Sequence, residues 1–490
     1  MSVELLLIIA FGGAFLTYFL GKISHRVRDS FAVLISCALV AVIAYLYGRS
    51  LERTFYLGFL GLPLLLRLNT LSWFFAITIA VVGALSIIFS LSYIKGRERT
   101  NFYYLMMLLV NSGMLGIVLS GDLVSFYIFW EIMSWSAFLL ICYNRGPALA
   151  AGMKYIIMSV VGSVAMLIGI ISLYASYGTL SISAIAPQIA SASSGYTLFV
   201  LISFGIGFGI KGAIVPLHTW LPDAHSEAPS PFSSVLSGIM IGMGIYGVFA
   251  VIFAVLGTRN IFPLLVILGL INLFMGEMSA FTQNNIKRLL AYSTIGQVGL
   301  ITFAIGIATH GGIMGSLFQI VNHALAKSLL FLCVGYMTYR AGSVSISSLN
   351  GMGRRMPLTS LAFTIGAFSL VGLPPFAGFP SKFLILKAAL AKQEILFTVL
   401  AALVLLATII EGAYFFRVVQ VLYFKGAPGH NSTAAQVKKE EAPLAALIAI
   451  FILTILIAII GVYPKPVTDI LSSAASDLLR SVEYGGSVLK

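Results

Sequence analysis

Apolar residues in this chain recur in run after run of about twenty, the length an α-helix needs to cross the hydrocarbon of a bilayer. Fourteen such runs can be marked, in round limits 3–20, 31–48, 71–93, 102–120, 122–143, 148–175, 197–221, 231–256, 261–282, 288–308, 312–339, 358–390, 395–423 and 443–463. We call them spans 1 to 14. Lipid offers backbone amides no partner, so runs this long without strict alternation are helices and not barrel strands. Only 9% of residues are charged and 59% are apolar, against about 25% charged in soluble domains, which excludes an ordinary soluble enzyme. The expected fold is an all-α integral membrane protein.

A net charge of +13 would suggest nucleic acid as a partner, but the basic residues sit in short loops between spans. One side holds Lys22, Arg26, Arg28, Lys95, Arg97, Arg99, Arg145, Lys287, Arg288, Arg340, Arg354, Arg355, Lys425, Lys438 and Lys439; the other holds only Arg49, Arg53, Arg67, Arg259 and Lys392 before the tail. The positive-inside rule makes the first side cytoplasmic and places both termini outside, in a multi-pass protein of the cell membrane. The charge is therefore topology, and no nucleic acid is expected. The first run lacks a basic lead and a small-residue cleavage site, so it reads as a retained span. The one hydrophilic stretch, 426–441, is a loop on the cytoplasmic side, which removes weight from the glycosylation sequon at Asn431. Residues 464–485 mix apolar pairs with charges, as in a helix lying on the membrane surface. Cys37, Cys142 and Cys333 are scattered through apolar runs and read as inert thiols.

Gly207, Gly209 and Gly212 spell G-x-G-x-x-G, but no strand precedes them, so helix packing is the better account. The Gly205/Gly209 and Gly238/Gly242 spacings fit the same account. What remains is a handful of ionisable residues inside the spans, where a charge costs roughly 2.5 to 3.5 kcal/mol even on lenient scales. Glu131 lies deep in DLVSFYIFWEIMSWSAFLLI and Lys211 in LISFGIGFGIKGAIVPL. His323 and Lys327 stand four apart in QIVNHALAKSLLFL, one turn from each other on one helix face. Lys382 follows GLPPFAGFPS, whose prolines and glycines must break a helix within the membrane, and broken helices are where transporters build ion sites. Glu411 is equally deep, though a turn and a half from Arg417, which makes a structural ion pair an equal expectation. Glu277, Lys154, Lys287 and Arg288 lie near span ends and are expected to be structural; Trp130 and Trp135 are expected to pack. Asp122, Asp223 and Glu227 suit surface caps as well as entry ligands, and the spacing of Asp122 and Glu131 puts them on opposite helix faces.

Such residues can relay protons. Burial disfavours the charge on a lysine and a nearby carboxylate restores it, so a Glu/Lys pair that opens and closes loads and releases a proton; histidine titrates in the same range. No nucleophile, phosphate loop or metal-ligand spacing is present in the sequence.

Taken together, KGAIVPLHTWLPDAHSEAPSPFSSVLSGIMIGMGIYG (211–247), FYIFWEIMS, NNIKRLLAYSTIGQVG, NHALAKSLLFL and PPFAGFPSKF resemble the antiporter-like subunits shared by complex I, the Mrp-type cation/proton antiporters, and membrane-bound hydrogenase and sulfane-reductase complexes. The resemblance runs from about residue 70 to 465. It implies a single transmembrane unit of fourteen helices with two inverted five-helix repeats, helices 4–8 (102–256) and 9–13 (261–423), with 1–101 before them and 424–490 after. It further implies that helices 7 and 12 are interrupted, that Glu131 and Lys211 form the pair that opens and closes, that His323 and Lys327 are the central relay of helix 11, and that Lys382 is the terminal group of helix 12. The family carries protons and in some members sodium, without a cofactor of its own. Its partners are other membrane subunits, including further antiporter-like ones, and in redox-driven hosts iron–sulfur subunits. The chain ends soon after span 14, like the shorter D, M and N type subunits. One departure stands out: span 8 (SGIMIGMGIYG) has no lysine or histidine where many members do. Either water fills that gap or the path is broken and the chain has a coupling or scaffold role.

Overall fold

The computed structural model describes residues 2–57, 62–189, 191–256, 261–424 and 440–487. Among them thirteen helices are long and apolar enough to cross a membrane. Span 12 supplies the fourteenth crossing in two pieces, Pro357–Val371 and Gly378–Leu390. Span 7 is likewise divided: Ser194–Lys211 ends at a break, and a short helix Leu221–Glu227 completes it. Most boundaries fall within a few residues of those read from hydropathy. Span 2 starts earlier, at His25, because Arg28 on its first turn is buried with partners: Asp29, Thr100 and Asn101 accept its hydrogen bonds and Tyr104 lies under its guanidinium. Hydropathy alone cannot see a satisfied arginine. Among the unanticipated elements are an antiparallel hairpin of strands β1 (Leu51–Leu57) and β2 (Leu62–Leu68) between spans 2 and 3, and a short helix Ile182–Ile189. The loop around Asn431, with Lys425, Lys438 and Lys439, and Arg259 between spans 8 and 9, lie outside the described residues.

Spans 10 and 11 form the centre, and span 11 is buried along its whole apolar stretch. Spans 1, 2, 6, 13 and 14 instead turn large apolar side chains outward, as lipid-facing helices do. Glycines set the closest approaches: a Cβ at Gly276 would strike the backbone of Gly296, and one at Gly299 the backbone of Leu273, which locks spans 9 and 10 together. Gly207 packs against Gly162, as the packing account of the G-x-G-x-x-G segment expects, whereas Gly205 of the Gly205/Gly209 spacing meets nothing. The tail helix Lys465–Ser487 buries Leu471, Ala474 and Ala475, and Ser472 O meets His310 Nε2 at 3.1 Å at the start of span 11.

Two hydrogen-bond frames, at opposite ends of the bundle, carry the internal symmetry. At one end Asp122 caps span 5 by accepting from Val124 and Ser125, Leu123 N donates to Leu180 O, and Ile182 N donates to Gly121 O. At the other Asn285 caps span 10 by accepting from Lys287 and Arg288, Ile286 N donates to Val344 O, and Ile346 N donates to Asn284 O. The bridges Asp122–Ser181 and Asn285–Ser345 close the two frames identically. Counting forward from the two caps pairs Glu131 with Thr294 and Ser134 with Gln297. Counting back from Gly178 and Gly342, the left-handed glycines that end spans 6 and 11, pairs Tyr155 with Gln319 and the serines Ser159 and Ser163 with His323 and Lys327.

Candidate functional site

Lys211 is the last residue of the first half of span 7, where the helix's free carbonyls favour a cation. Its Nζ donates to Ser134 Oγ at 2.9 Å and Tyr155 OH at 3.0 Å, and it faces the rings of Trp130 and Tyr155. Trp130 is thus both packing and cage, while Trp135 points outward. At the break Ile210 O accepts from Ala213 N at 3.1 Å and from Trp220 Nε1 at 2.8 Å. Val215 N, inside the break, donates to Asn272 of span 9, which in turn donates to Ile295 O of span 10. Movement at the break in the first repeat is therefore tied to helices of the second. Glu131 is half-buried, and its Oε1 has no partner. Among the described residues no ion pair joins it to Lys211, so this pair stands open.

Spans 8 and 11 meet between the two halves. At 236–240 span 8 adopts a π-helical turn, the kind of irregularity that frees a carbonyl. His323 Nε2 donates to Ser237 O at 2.9 Å, Ser237 Oγ and Thr294 Oγ1 are 2.7 Å apart, and Ser328 Oγ donates to Ser234 O. Gly238 is what allows this, since a Cβ there would strike Ser328 Oγ. Thus the place where the sequence lacks a lysine or histidine holds hydroxyls and a backbone carbonyl. Lys327, fully buried one turn from His323, donates to Leu290 O at 3.1 Å and touches no carboxylate among the described residues.

Lys382 stands at the break in span 12. Its Nζ is 2.6 Å from Glu411 Oε2 and 3.2 Å from Val371 O, a carbonyl the break leaves free. Glu411 therefore pairs with Lys382 and not with Arg417, which donates to Gln283 O. Gln297 holds the other Glu411 oxygen at 2.7 Å and is itself bonded by Gln319. Ser381 donates to Gln319, and Ser369 to Asn322. Gln297 and Gln319 occupy the positions that Ser134 and Tyr155 hold around Lys211, so the two broken helices carry matching polar sockets.

Of the other acidic candidates, Asp122 is a buried cap whose second oxygen takes Leu65 N and Ser125 Oγ. Asp223 lies between Lys154 at 2.8 Å and Arg288 at 3.2 Å, joining spans 6 and 10 at the basic face. Glu227 ends its short helix, with its carbonyl bonded by Asn144. Three polar participants escaped a reading that weighed charges by distance from span ends. Glu277 and Lys287 are not span-end groups at the surface but buried ones, Lys287 donating to Ala228 O. His225 is buried against Phe331, and among the described residues neither ring nitrogen has a partner. A histidine shortly after the proline-bearing break of span 7 was the available signal.

The fold is that of an antiporter-like, multi-pass membrane protein. Residues 120–409 match the family model described as NADH:quinone oxidoreductase/Mrp antiporter, transmembrane, and the chain belongs to that family. It is 30% identical over 406 residues to NADH-quinone oxidoreductase subunit N of Desulforudis audaxviator, covering 80% of each chain. It is 33% identical over 483 residues to a Na(+)/H(+) antiporter subunit of Alkalihalophilus pseudofirmus, covering 92% of this chain and 60% of that longer protein. One chain of the membrane-bound sulfane sulfur reductase, an archaeal respiratory membrane complex, superposes with a TM-score of 0.88 at 30% identity over 99% of both chains. The relatives are thus subunits of multisubunit membrane complexes, and the protein is a multi-pass membrane protein.

Proposed function

We propose that this chain is a proton-translocating subunit of a multisubunit complex of the cell membrane, driven either by a redox module or, as in Mrp-type antiporters, by a sodium gradient. Glu131 and Lys211 act as the coupling pair, His323 and Lys327 as the central relay, and Lys382 with Glu411 as the gate at the far end. The basic loops face the cytoplasm and both termini face outside. One observation carries this reading: lysines are buried at or beside both helix breaks and at the centre, in sockets of hydroxyls and amides, with one carboxylate pair closed and the other open. Ion pairs kept for structure alone would both be closed, because an unpaired buried charge is costly. The hydroxyls at Ser237 and Thr294 favour conduction over a scaffold role, since they fill the gap at span 8.

Proton uptake into sealed inverted vesicles from the native host tests it. Lys211→Ala should abolish uptake while the complex stays assembled, and undiminished uptake by an assembled variant would falsify the assignment. The proteins that copurify, whether iron–sulfur proteins or membrane subunits alone, identify the driving force.

A further inference from the structure

Glu277 has no part in the relay just described, yet it is 1% exposed in span 9, four residues from the end that turns into span 10, whose first turn carries Lys287 and Arg288. That is about 6 Å along a helix. Tyr414 OH donates to its Oε2 at 2.7 Å, while its Oε1 has no partner among the described residues. A buried carboxylate oxygen without a donor is expensive, of order 1 to 3 kcal/mol, and natural proteins keep one where it has a task. Gly296 makes room for it, since a Cβ there would collide with Oε1. Tyr414 lies three residues after Glu411 on span 13, one helical turn away. The charged and titratable groups within electrostatic reach of Glu277 are Tyr414 and Glu411 of span 13, Lys382 of span 12 and Lys327 of span 11.

We propose that Glu277, bonded by Tyr414, is a proton-loading carboxylate that exchanges protons between the basic face of the membrane and the Lys382–Glu411 pair. As a carboxylate it takes one proton from that face and becomes neutral. It gives the proton up to Glu411 when Lys382 moves away, and returns to its ionised form. Once Glu277 is protonated, the Tyr414 hydroxyl turns from it toward Glu411, accepting the Glu277 proton at its oxygen while releasing its own proton to Glu411. This rests on the translocation reading above and supplies an entry to its second half from within the chain.

The test is Glu277→Gln in the intact complex. Glutamine keeps the shape and still accepts from Tyr414, so assembly is expected to survive; translocation should fall about a hundredfold or more, the scale of a lost acid–base group. Infrared difference spectra across a pH titration should lose one protonated-carboxyl band, and Glu277→Asp should restore part of the rate. Tyr414→Phe, which preserves the ring, should slow translocation severalfold and carries the test if the first variant does not assemble. Wild-type rates in either assembled variant, or an unchanged carboxyl band, overturn the proposal. If Lys211→Ala is inactive while Glu277→Gln is not, only this inference falls; if both are fully active, the translocation reading falls with it.

Discussion

Lys382 and Glu411 are in contact at 2.6 Å, whereas Lys211 rests on Ser134 and Tyr155 and leaves Glu131 without a partner. The two halves of one chain are thus held in opposite states, one acid–base pair closed and the other open. A device that alternates between its halves needs this asymmetry, because a proton can be loaded only where the pair is open.

The closed pair is the more exposed to truncation. Glu411→Leu leaves Lys382 as an uncompensated buried cation and should cost about 3 to 5 kcal/mol. Thermal denaturation of the purified complex should show a clear drop. The double variant Lys382→Met with Glu411→Leu should recover most of that stability but no translocation.

At span 8 the account depends on hydroxyls. Thr294→Val keeps the side-chain shape and removes the group that meets Ser237 Oγ at 2.7 Å. Translocation should fall about a hundredfold, the low end of the effect of one missing proton-transfer group. Gly238→Ala acts from the other side: its methyl group would strike Ser328 and push spans 8 and 11 apart, parting His323 from Ser237 O. Equal rates in both variants and wild type would mean that protons do not pass here.

Asp122 and Asn285 should behave alike, as structural caps. Alanine at either should cost about 1 kcal/mol, within the 0.5 to 2 known for caps, and lower the yield of assembled complex. Asp122→Asn retains an acceptor for Val124 and Ser125 and should translocate at close to the normal rate; a severe loss in that variant would return Asp122 to the ion path.

The bundle was legible in the sequence because hydropathy counts spans well, and all fourteen crossings stand where apolar runs stood. The break in span 12 was legible through Gly and Pro, that in span 7 only through the family resemblance, and Glu131, Lys211, His323, Lys327 and Lys382 were marked as candidates by the cost of charge in lipid. Two kinds of feature were not. Partner choice is tertiary, so Glu411 looked one and a half turns from Arg417 but reaches Lys382 on another span. Burial near a span end depends on what covers it, so Glu277 and Lys287 looked peripheral while neighbouring helices enclose them. Uncharged polar residues such as Gln297, Gln319, Ser134 and Tyr155 carry no alarm in hydropathy, yet Ser134 and Tyr155 hold Lys211 while Gln297, backed by Gln319, holds the Glu411 that pairs with Lys382. The mirrored hydrogen-bond frames at Asp122 and Asn285 reveal those sockets as equivalents.

The central claim is that a proton crosses between the halves through span 11, and Lys327 tests it most directly. It is fully buried, and among the described residues its hydrogen bond goes to Leu290 O. Lys327→Met removes the charge, keeps the length and removes the cost of burying an ammonium, so the complex should be at least as stable. Reconstituted in sealed liposomes with a pH-sensitive dye inside, the wild-type complex should translocate protons and the assembled Lys327→Met complex should not. Translocation by that variant at the wild-type rate would contradict the account.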